Sequence, residues 1–435
     1  MSFLRIAAVL LASLGFISAH FSPHGRRGYY PPSRRLLGPL GGGARIRGET
    51  DADAFGGLTS THGESNVGVD AFGARGHLSH GARAVGVGHT SARSRGRLDV
   101  ADRFGPRSFG SSANANAFGN LASGSETSGY ANYAYGLGGA GSSARAHGSG
   151  FGHSRSSTSA SAGGGFLRRK RQAGFDVDAG SRSGAEGRFT DTFGESLVDG
   201  NQFGYNARVR SGAKGEGLGG TAARAQGAIL ARNAFGGSSL TETLGEARAW
   251  GSRRSFSETT GEAGQTNGRG SGRVRSASGS SGVGTSSSQS KASVSNVRRF
   301  KRSLCVQMGL CFTGANADTG GSALGDFTES GGSSRFDARP GFVHGLATHE
   351  SLGRGHGRSA ALSRSGIEAG HQFGVDSLQA AGKAESFGDF SMSHTKSKTE
   401  YLNGVGFSGS ESRANAHGRG RSSARSEAVA SNHRG

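Results

Sequence analysis

The chain is 435 residues long and carries 51 Lys and Arg against 31 Asp and Glu, with 81 Gly, 6 Pro, 2 Cys and only 33% hydrophobic residues. That length would allow two or three globular domains, but so little apolar side chain falls short of what ordering an ordinary core costs in entropy. A collagen triple helix is excluded as well, because Gly follows no three-residue period.

Residues 1–19, MSFLRIAAVLLASLGFISA, place one positive charge (Arg5) before an apolar stretch and end on small Ser18 and Ala19. This is the pattern of a secretory signal peptide cleaved after Ala19. No later apolar run is long enough to span a bilayer. The expectation is therefore a secreted, extracellular chain with no transmembrane segment. Residues 20–40 read as a leader or pro-region, with Arg26-Arg27, Pro31-Pro32 and Arg34-Arg35 on an extended, exposed stretch.

From residue 41 the chain reads as a triplicated Gly-rich unit, 41–171, 172–302 and 303–435, each closed by the same device. In 134–164 every even-numbered residue is Gly, Ala, Ser or Thr; 264–292 repeats this with Val274 as its single exception, and 404–430 has none. Side chains alternate across an extended chain, so each run presents one flat face of small residues. The opposite face of the first run carries Tyr135, Leu137, Arg145, His147, Phe151, His153 and Arg155. Related lead-ins precede the runs: NAFG at 116–119, NAFG at 233–236 and ESFG at 385–388. The fold expectation is a largely disordered low-complexity chain with β-prone, period-two segments, forming silk-like cross-β structure or long antiparallel strands. No conventional globular core is expected.

Arg168-Arg169-Lys170-Arg171 and Arg299-Phe300-Lys301-Arg302 fit the Arg-x-Lys-Arg target of furin-like convertases, which recognise clustered basic side chains on exposed chain. Cleavage would give products beginning at Gln172 and Ser303. Directly after the second site, Cys305 and Cys311 lie among Leu304, Val306, Met308, Leu310 and Phe312. In an oxidising pathway they either close a small intrachain loop or bridge two chains.

Nothing in the sequence assembles a catalytic constellation, a cofactor site or a metal site. The fifteen His lack the spacing or Cys company that metals need. A G-x-G-x-x-G match at 136–141 has no apolar strand before it and no amphipathic helix after it. A non-enzyme is expected.

Phe55, Phe72, Phe104, Phe109, Phe118, Phe151, Phe193, Phe203, Phe235, Phe373 and Phe387 each precede a Gly, and such pairs act as weak aromatic stickers. Phe-Gly repeats also resemble nuclear-pore proteins, and the Arg-Gly runs at 268–273 and 418–421 resemble RNA-binding segments. A signal peptide argues against both, so nucleic acid is not an expected partner. Arg instead favours bidentate contacts with carboxylate, sulfate or phosphate, which points to acidic polysaccharides or acidic matrix proteins beside self-assembly. The sequence supports a switch in which His adds charge in an acidic granule and is neutral after release, when stacking begins.

In composition, signal peptide and alternating runs the chain resembles the Gly-, Ala- and Ser-rich structural proteins of animal silks, byssal threads, cuticles and shell matrices. It has no poly-Ala blocks and no strict GAGAGS repeat. The resemblance implies a secreted structural protein of a fibre, coating, cuticle or mineralised matrix, processed from a three-unit precursor. The alternative is a Gly-rich cationic antimicrobial precursor acting on bacterial surfaces. The chain is similar to attacins in its signal peptide, basic processing site and interspersed Phe, but is poorer in aromatic and large apolar residues than a membrane-active barrel needs.

Overall fold

The computed structural model describes residues 44–69, 73–102, 108–134, 137–168, 171–201, 204–218, 220–233, 238–266, 269–297, 314–339, 342–355, 359–370, 376–402, 405–418 and 421–432, and structural statements concern these residues. Twenty strands occupy nearly all of them: β1 Ala44–Phe55, β2 Leu58–Val69, β3 Gly73–Val85, β4 Thr90–Asp102, β5 Ser108–Gly119, β6 Ala122–Ala134, β7 Leu137–Arg168, β8 Arg171–Asn201, β9 Gly204–Glu216 and β10 Thr221–Asn233. They continue as β11 Ser238–Gly251, β12 Arg254–Thr266, β13 Arg269–Val297, β14 Gly314–Arg339, β15 Phe342–Arg354, β16 Ala360–Gly370, β17 Asp376–Phe387, β18 Phe390–Leu402, β19 Val405–His417 and β20 Arg421–Asn432.

Every pairing is antiparallel, and the pairings resolve into two layers. Sheet I runs β2-β3-β6-β7-β8-β9-β12-β13-β14-β15-β18-β19. Sheet II runs β1-β4-β5-β7-β8-β10-β11-β13-β14-β16-β17-β20. The four long strands belong to both sheets. β7 lies in sheet I up to Ser149 and in sheet II from Gly152, and β13 changes sheets between Ser281 and Gly284, each at a break in register. Elsewhere the chain changes sheets through short arches such as 56–57, 86–89, 120–121 and 252–253. All the arches fall along one edge of the sandwich, and the hairpins within each sheet fall along the other.

The order of layers repeats three times. β1 to β7, β8 to β13 and β14 to β20 each visit the sheets in the sequence II, I, I, II, II, I, I, II. The small-residue runs supply the last crossing each time, as β7, as β13, and as β19 followed by β20. The described residues of the three segments share continuous ladders, with β7 paired to β8 and β13 to β14 along most of their lengths. The lead-ins do not all fall in equivalent places. Those at 116–119 and 385–388 end β5 and β17 at arches; of 233–236 only Asn233, the last residue of β10, is described, and Trp250-Gly251, ending β11, holds the arch place in the second repeat.

The expectation of a largely disordered chain without a core is overturned. The described residues form one continuous β-structure, and its inward face is buried except on the end strands β1, β2, β19 and β20. The composition argument failed because it counted only large apolar side chains. Here Ala84, Ala115, Ala146, Ala231, Ala247 and Ala292 are fully buried, beside Ser94, Ser278, Ser290 and Thr399. Residues this small let facing strands come close, close enough for Ser211 Oγ on β9 to reach Gln226 O on β10 at 2.8 Å, where ordinary stacked sheets stand about 10 Å apart. The backbone ladders and close packing supply what large side chains do elsewhere.

The larger apolar residues gather toward the hairpin edge, where Val100, Phe109, Val177, Val198, Val209 and Ile229 belong to one cluster. Toward the arches the interior narrows to alanine, with Ala113, Ala115, Ala117, Ala144 and Ala146 in one group and Ala185, Ala213 and Ala223 in another. Where a large side chain does enter, glycine faces it. A Cβ on Gly76 would lie 2.7 Å from Leu98 Cδ1, and one on Gly96 would lie 2.5 Å from Leu78 Cδ1.

Neighbouring positions on β7 test this arrangement. Ala146→Leu, pointing into the fully buried seam, is expected to cost about 1–3 kcal/mol by overpacking. Arg145→Ala, one residue earlier on the outward face, removes an ion pair with Asp191 at 2.9 Å between exposed side chains and is expected to cost under about 1 kcal/mol. Denaturant unfolding of both variants measures the contrast.

Candidate functional site

The seam between the sheets is closed by hydroxyls as well as by packing. Ser142 Oγ donates to Ser159 O across the layers at 2.9 Å, Ser211 Oγ to Gln226 O at 2.8 Å, Ser278 Oγ to Ser287 O at 2.8 Å and Ser351 Oγ to Leu362 O at 2.8 Å. Hydroxyl pairs also bridge the layers: Thr158 with Ser196 at 2.7 Å, Ser288 with Ser330 at 2.9 Å, Ser363 with Ser393 at 2.9 Å and Ser365 with Ser397 at 2.7 Å. A serine is short, so one reaching the backbone carbonyl of the facing sheet requires the layers to be nearly in contact. These serines do what alanine does in shape while satisfying a carbonyl or a second hydroxyl, whereas other seam hydroxyls, Ser94, Ser123, Ser154, Ser276 and Ser286 among them, are buried without a hydrogen-bond partner among the described residues.

His349, on β15, is the bulkiest polar side chain in the seam and is 1% exposed. Its ring occupies space that two glycines leave: Gly332 is its cross-strand partner, and a Cβ on Gly332 or Gly321 would lie closer than 3.0 Å to the ring. Nε2 lies 2.9 Å from Ser288 Oγ. Burial pushes its pKa down to about 4, with nearby His394 acting in the same direction and the Ser288 contact opposing. His80, over Gly63 on the neighbouring strand, is also lowered, first by burial.

The arch edge has its own chemistry. Successive arches bond to one another: Gly86 N donates to Leu121 O at 3.0 Å, Leu121 N to Ser149 O at 3.0 Å, Gly217 N to Arg253 O at 2.9 Å and Arg253 N to Ser281 O at 3.1 Å. In the first two repeats the final crossing is made at a Gly-x-Gly, Gly150-Phe151-Gly152 and Gly282-Val283-Gly284, and in the third Gly418 follows β19 at the corresponding place. Gly150, Gly282 and Gly418 have positive φ, 88°, 81° and 97°. Large apolar residues point outward along this edge, including Leu58, Val87, Leu121, Phe151, Leu218 and Val283, with Val87 fully exposed. A shallow recess there is lined by Arg188, Phe189, Glu216, Leu218, Arg253 and Arg254. Glu216 is held below the usual carboxylate range, chiefly by its hydrogen bond from Lys214.

The outward faces carry the charge. Arg210 pairs with Glu258 at 2.9 Å, Arg224 with Glu246 at 3.1 Å and Arg254 with Glu216 at 3.1 Å. Arg83, Arg93, Arg95, Arg155, Arg273, Arg275 and Arg364 have no carboxylate within 4.0 Å among the described residues. These guanidinium groups carry charge that no carboxylate among the described residues pairs. On β7, Arg145, His147, His153 and Arg155 face outward, opposite the small face.

Of the residues expected to be processed, Arg168 ends β7 and Arg171 begins β8, paired across the hairpin end. Arg169 and Lys170 lie outside the described residues, as do Arg299, Lys301, Arg302, Cys305, Cys311, the signal peptide and the 20–40 leader. Among the Phe-Gly pairs, Phe55, Phe151 and Phe387 are exposed beside arches, while Phe109 is buried. Among the described residues no three His, Cys, Asp or Glu converge as metal ligands, and no helix is long and apolar enough to cross a membrane. What sequence reasoning missed was the Gly-x-Gly in the middle of the first two runs and the role of His349. The available signal was length, since runs of about 30 residues are far longer than ordinary strands.

No known protein family, curated protein or solved structure matches this chain.

Proposed function

We propose that the chain is a secreted structural protein of an extracellular material, a fibre, coating, cuticle or mineralised matrix. It is processed from a three-unit precursor at the two convertase sites and consolidates through β-stacking and Arg contacts with acidic polysaccharide or acidic matrix protein. The observation that carries this reading is the seam: a large interior built from Ala, Ser, Thr and Gly, zipped by hydroxyls between close-set sheets. Such a surface offers no shaped cavity for a small ligand. It does supply many equivalent backbone ladders that bear load together.

The outward guanidinium groups supply the second half of the proposal. Planar guanidinium binds sulfate and carboxylate in a fork and is bound in turn by polyanions, so the faces act as a cationic coat on a β-scaffold. Buried neutral histidines favour the β-form near neutral pH over an acidic granule, which gives secretion a chemical trigger.

The experiment is a proteomic search of insoluble secreted material and of body fluid from the source animal, with mapped peptide termini. Peptides beginning at Gln172 or Ser303 in an insoluble extract are the expected result. The same termini found only as soluble fragments in body fluid would overturn the structural role and favour host defence.

A further inference from the structure

The two ends of the sandwich are open. In sheet II the outermost strands are β1 and β20, in sheet I they are β2 and β19, and each pairs on one side only among the described residues. Their lengths match, at 12, 12, 12 and 13 residues. Their inward side chains are small, like those of the interior, yet are left uncovered. Thr59, Thr61 and Ser65 on β2 and Ala424, Ser426 and Ala428 on β20 are exposed, whereas the corresponding positions of the middle strands are buried.

We infer that these ends join head to tail, β19 and β20 of one copy adding to β2 and β1 of the next, so that the sandwich continues as a filament whose partner is a second copy of this chain. Three features converge on this join. Each sheet holds an even number of antiparallel segments, so its first and last strands run in opposite directions; translating one copy onto the next makes both new ladders antiparallel, as within the chain. The arches fix the level along the strand: Phe55 pairs with Ser91 and Phe387 with Arg421 beside their arches, so the same level puts Phe55 opposite Arg421 of the neighbour. Inward residues then meet inward residues in both sheets, Ala52 with Ala424, Thr50 with Ser426, Thr61 with Ala414 and Ser65 with Ser410.

Charge is divided across this join, like charges directly opposite being unfavourable and opposite charges favourable. Asp51 falls opposite Arg425 on the outward face of sheet II, a cross-strand pair of the favourable kind. Glu49 meets Glu427 and Glu64 meets Glu411, and each of these acids except Glu64 has an arginine two residues away on its own strand, as Arg47–Glu49, Arg425–Glu427 and Arg413–Glu411. A translational, non-closing join of this kind builds an open filament rather than a closed oligomer. The inference deepens the reading as a structural protein by naming the partner and the surface, and it rests on that reading only for purpose.

The test uses the purified full chain, confirmed as β-structured by circular dichroism, with sedimentation and electron microscopy against protein concentration at neutral pH. Wild type is expected to form unbranched filaments two sheets thick. Arg425→Glu and Asp51→Arg, each placing like charges across the join, are expected to raise the critical concentration at least 10-fold, and the double variant to restore it. Glu427→Lys is expected to lower it. Wild-type protein that stays monomeric while fully β-structured would overturn the join, as would single variants that assemble like wild type. So would an Arg425→Glu chain that misassembles and is not rescued by Asp51→Arg. Retention of the Arg425→Glu chain in acidic-polysaccharide precipitates to the wild-type extent, without filaments in either, would remove the join while leaving the material role in place.

Discussion

Alanine at Gly152 or Gly284 is expected to lower the free energy of unfolding by about 3 kcal/mol. Both glycines follow the tip of an arch and lie against the backbone of a neighbouring strand. A Cβ would come closer than 3.0 Å to Phe118 O in the first case and to Trp250 O in the second. A carbonyl is not the free end of a flexible side chain, so the arches would have to separate, and with them hydrogen bonds such as Leu121 N to Ser149 O and Arg253 N to Ser281 O. Alanine at Gly150 or Gly282 meets a close contact as well, a Cβ on Gly150 lying 2.8 Å from Asn120 N, and adds about 1–2 kcal/mol of backbone strain because φ near 88° and 81° is the left-handed region that a Cβ disfavours. Gly320 is the control: nothing lies within 4 Å of its would-be Cβ, and Gly320→Ala is expected to be neutral or to stabilise by about 0.5 kcal/mol through the unfolded chain. Urea unfolding followed by the β-sheet circular dichroism band ranks the five variants.

Lowering the pH from about 6.5 to 4 is expected to cost the folded chain roughly 3 kcal/mol through His349 alone. The direction follows from which state holds the proton. Folded, the imidazole is buried and titrates at about 4; unfolded, it returns to 6.5. Above pH 6.5 it is neutral in both states and contributes no pH dependence. Below 6.5 the unfolded state takes up the proton first, so stability falls until the folded form is protonated too, near pH 4. His349→Gln keeps a polar partner for Ser288 without a titrating ring, and is expected to flatten the stability profile across this window relative to wild type. Unfolding midpoints at half-unit intervals from pH 4 to 7 measure the difference. A His349→Gln profile parallel to wild type would show that the ring is not the source of the acid sensitivity.

How much of this was legible in the sequence depends on the element. The facing of β7 and β13 was written in the alternation: Ala144, Ala146, Ser154, Ser278 and Ser290 are buried on one side while Arg145, Arg155 and Arg275 are exposed on the other. A period of two can be read without knowing the partner strand. The bend was not legible in the same way, because Gly150 and Gly282 keep the parity of the run and look like further small residues. Disorder was the wrong expectation for a related reason: Ala and Ser count little on a hydrophobicity scale, but two flat faces of them pack at a separation that larger residues prevent. The repeated letters at 116–119 and 233–236 do not mark one structural place, since Asn116 lies on β5 ahead of an arch while Asn233 ends β10, and Trp250-Gly251 ends β11 at the arch. His349 could not be singled out among fifteen histidines, because its environment is made by Gly321, Gly332 and Ser288 on other parts of the fold.

The central claim is that the two sheets meet through small side chains at a spacing ordinary sandwiches do not reach. X-ray diffraction from an oriented, dried film of the purified chain measures it directly. Beside the strand-spacing reflection at about 4.7–4.8 Å, the account predicts an intersheet reflection clearly shorter than about 10 Å, because serine hydroxyls reach the backbone carbonyls of the facing sheet at 2.8 Å. An intersheet reflection near 10 Å would contradict it.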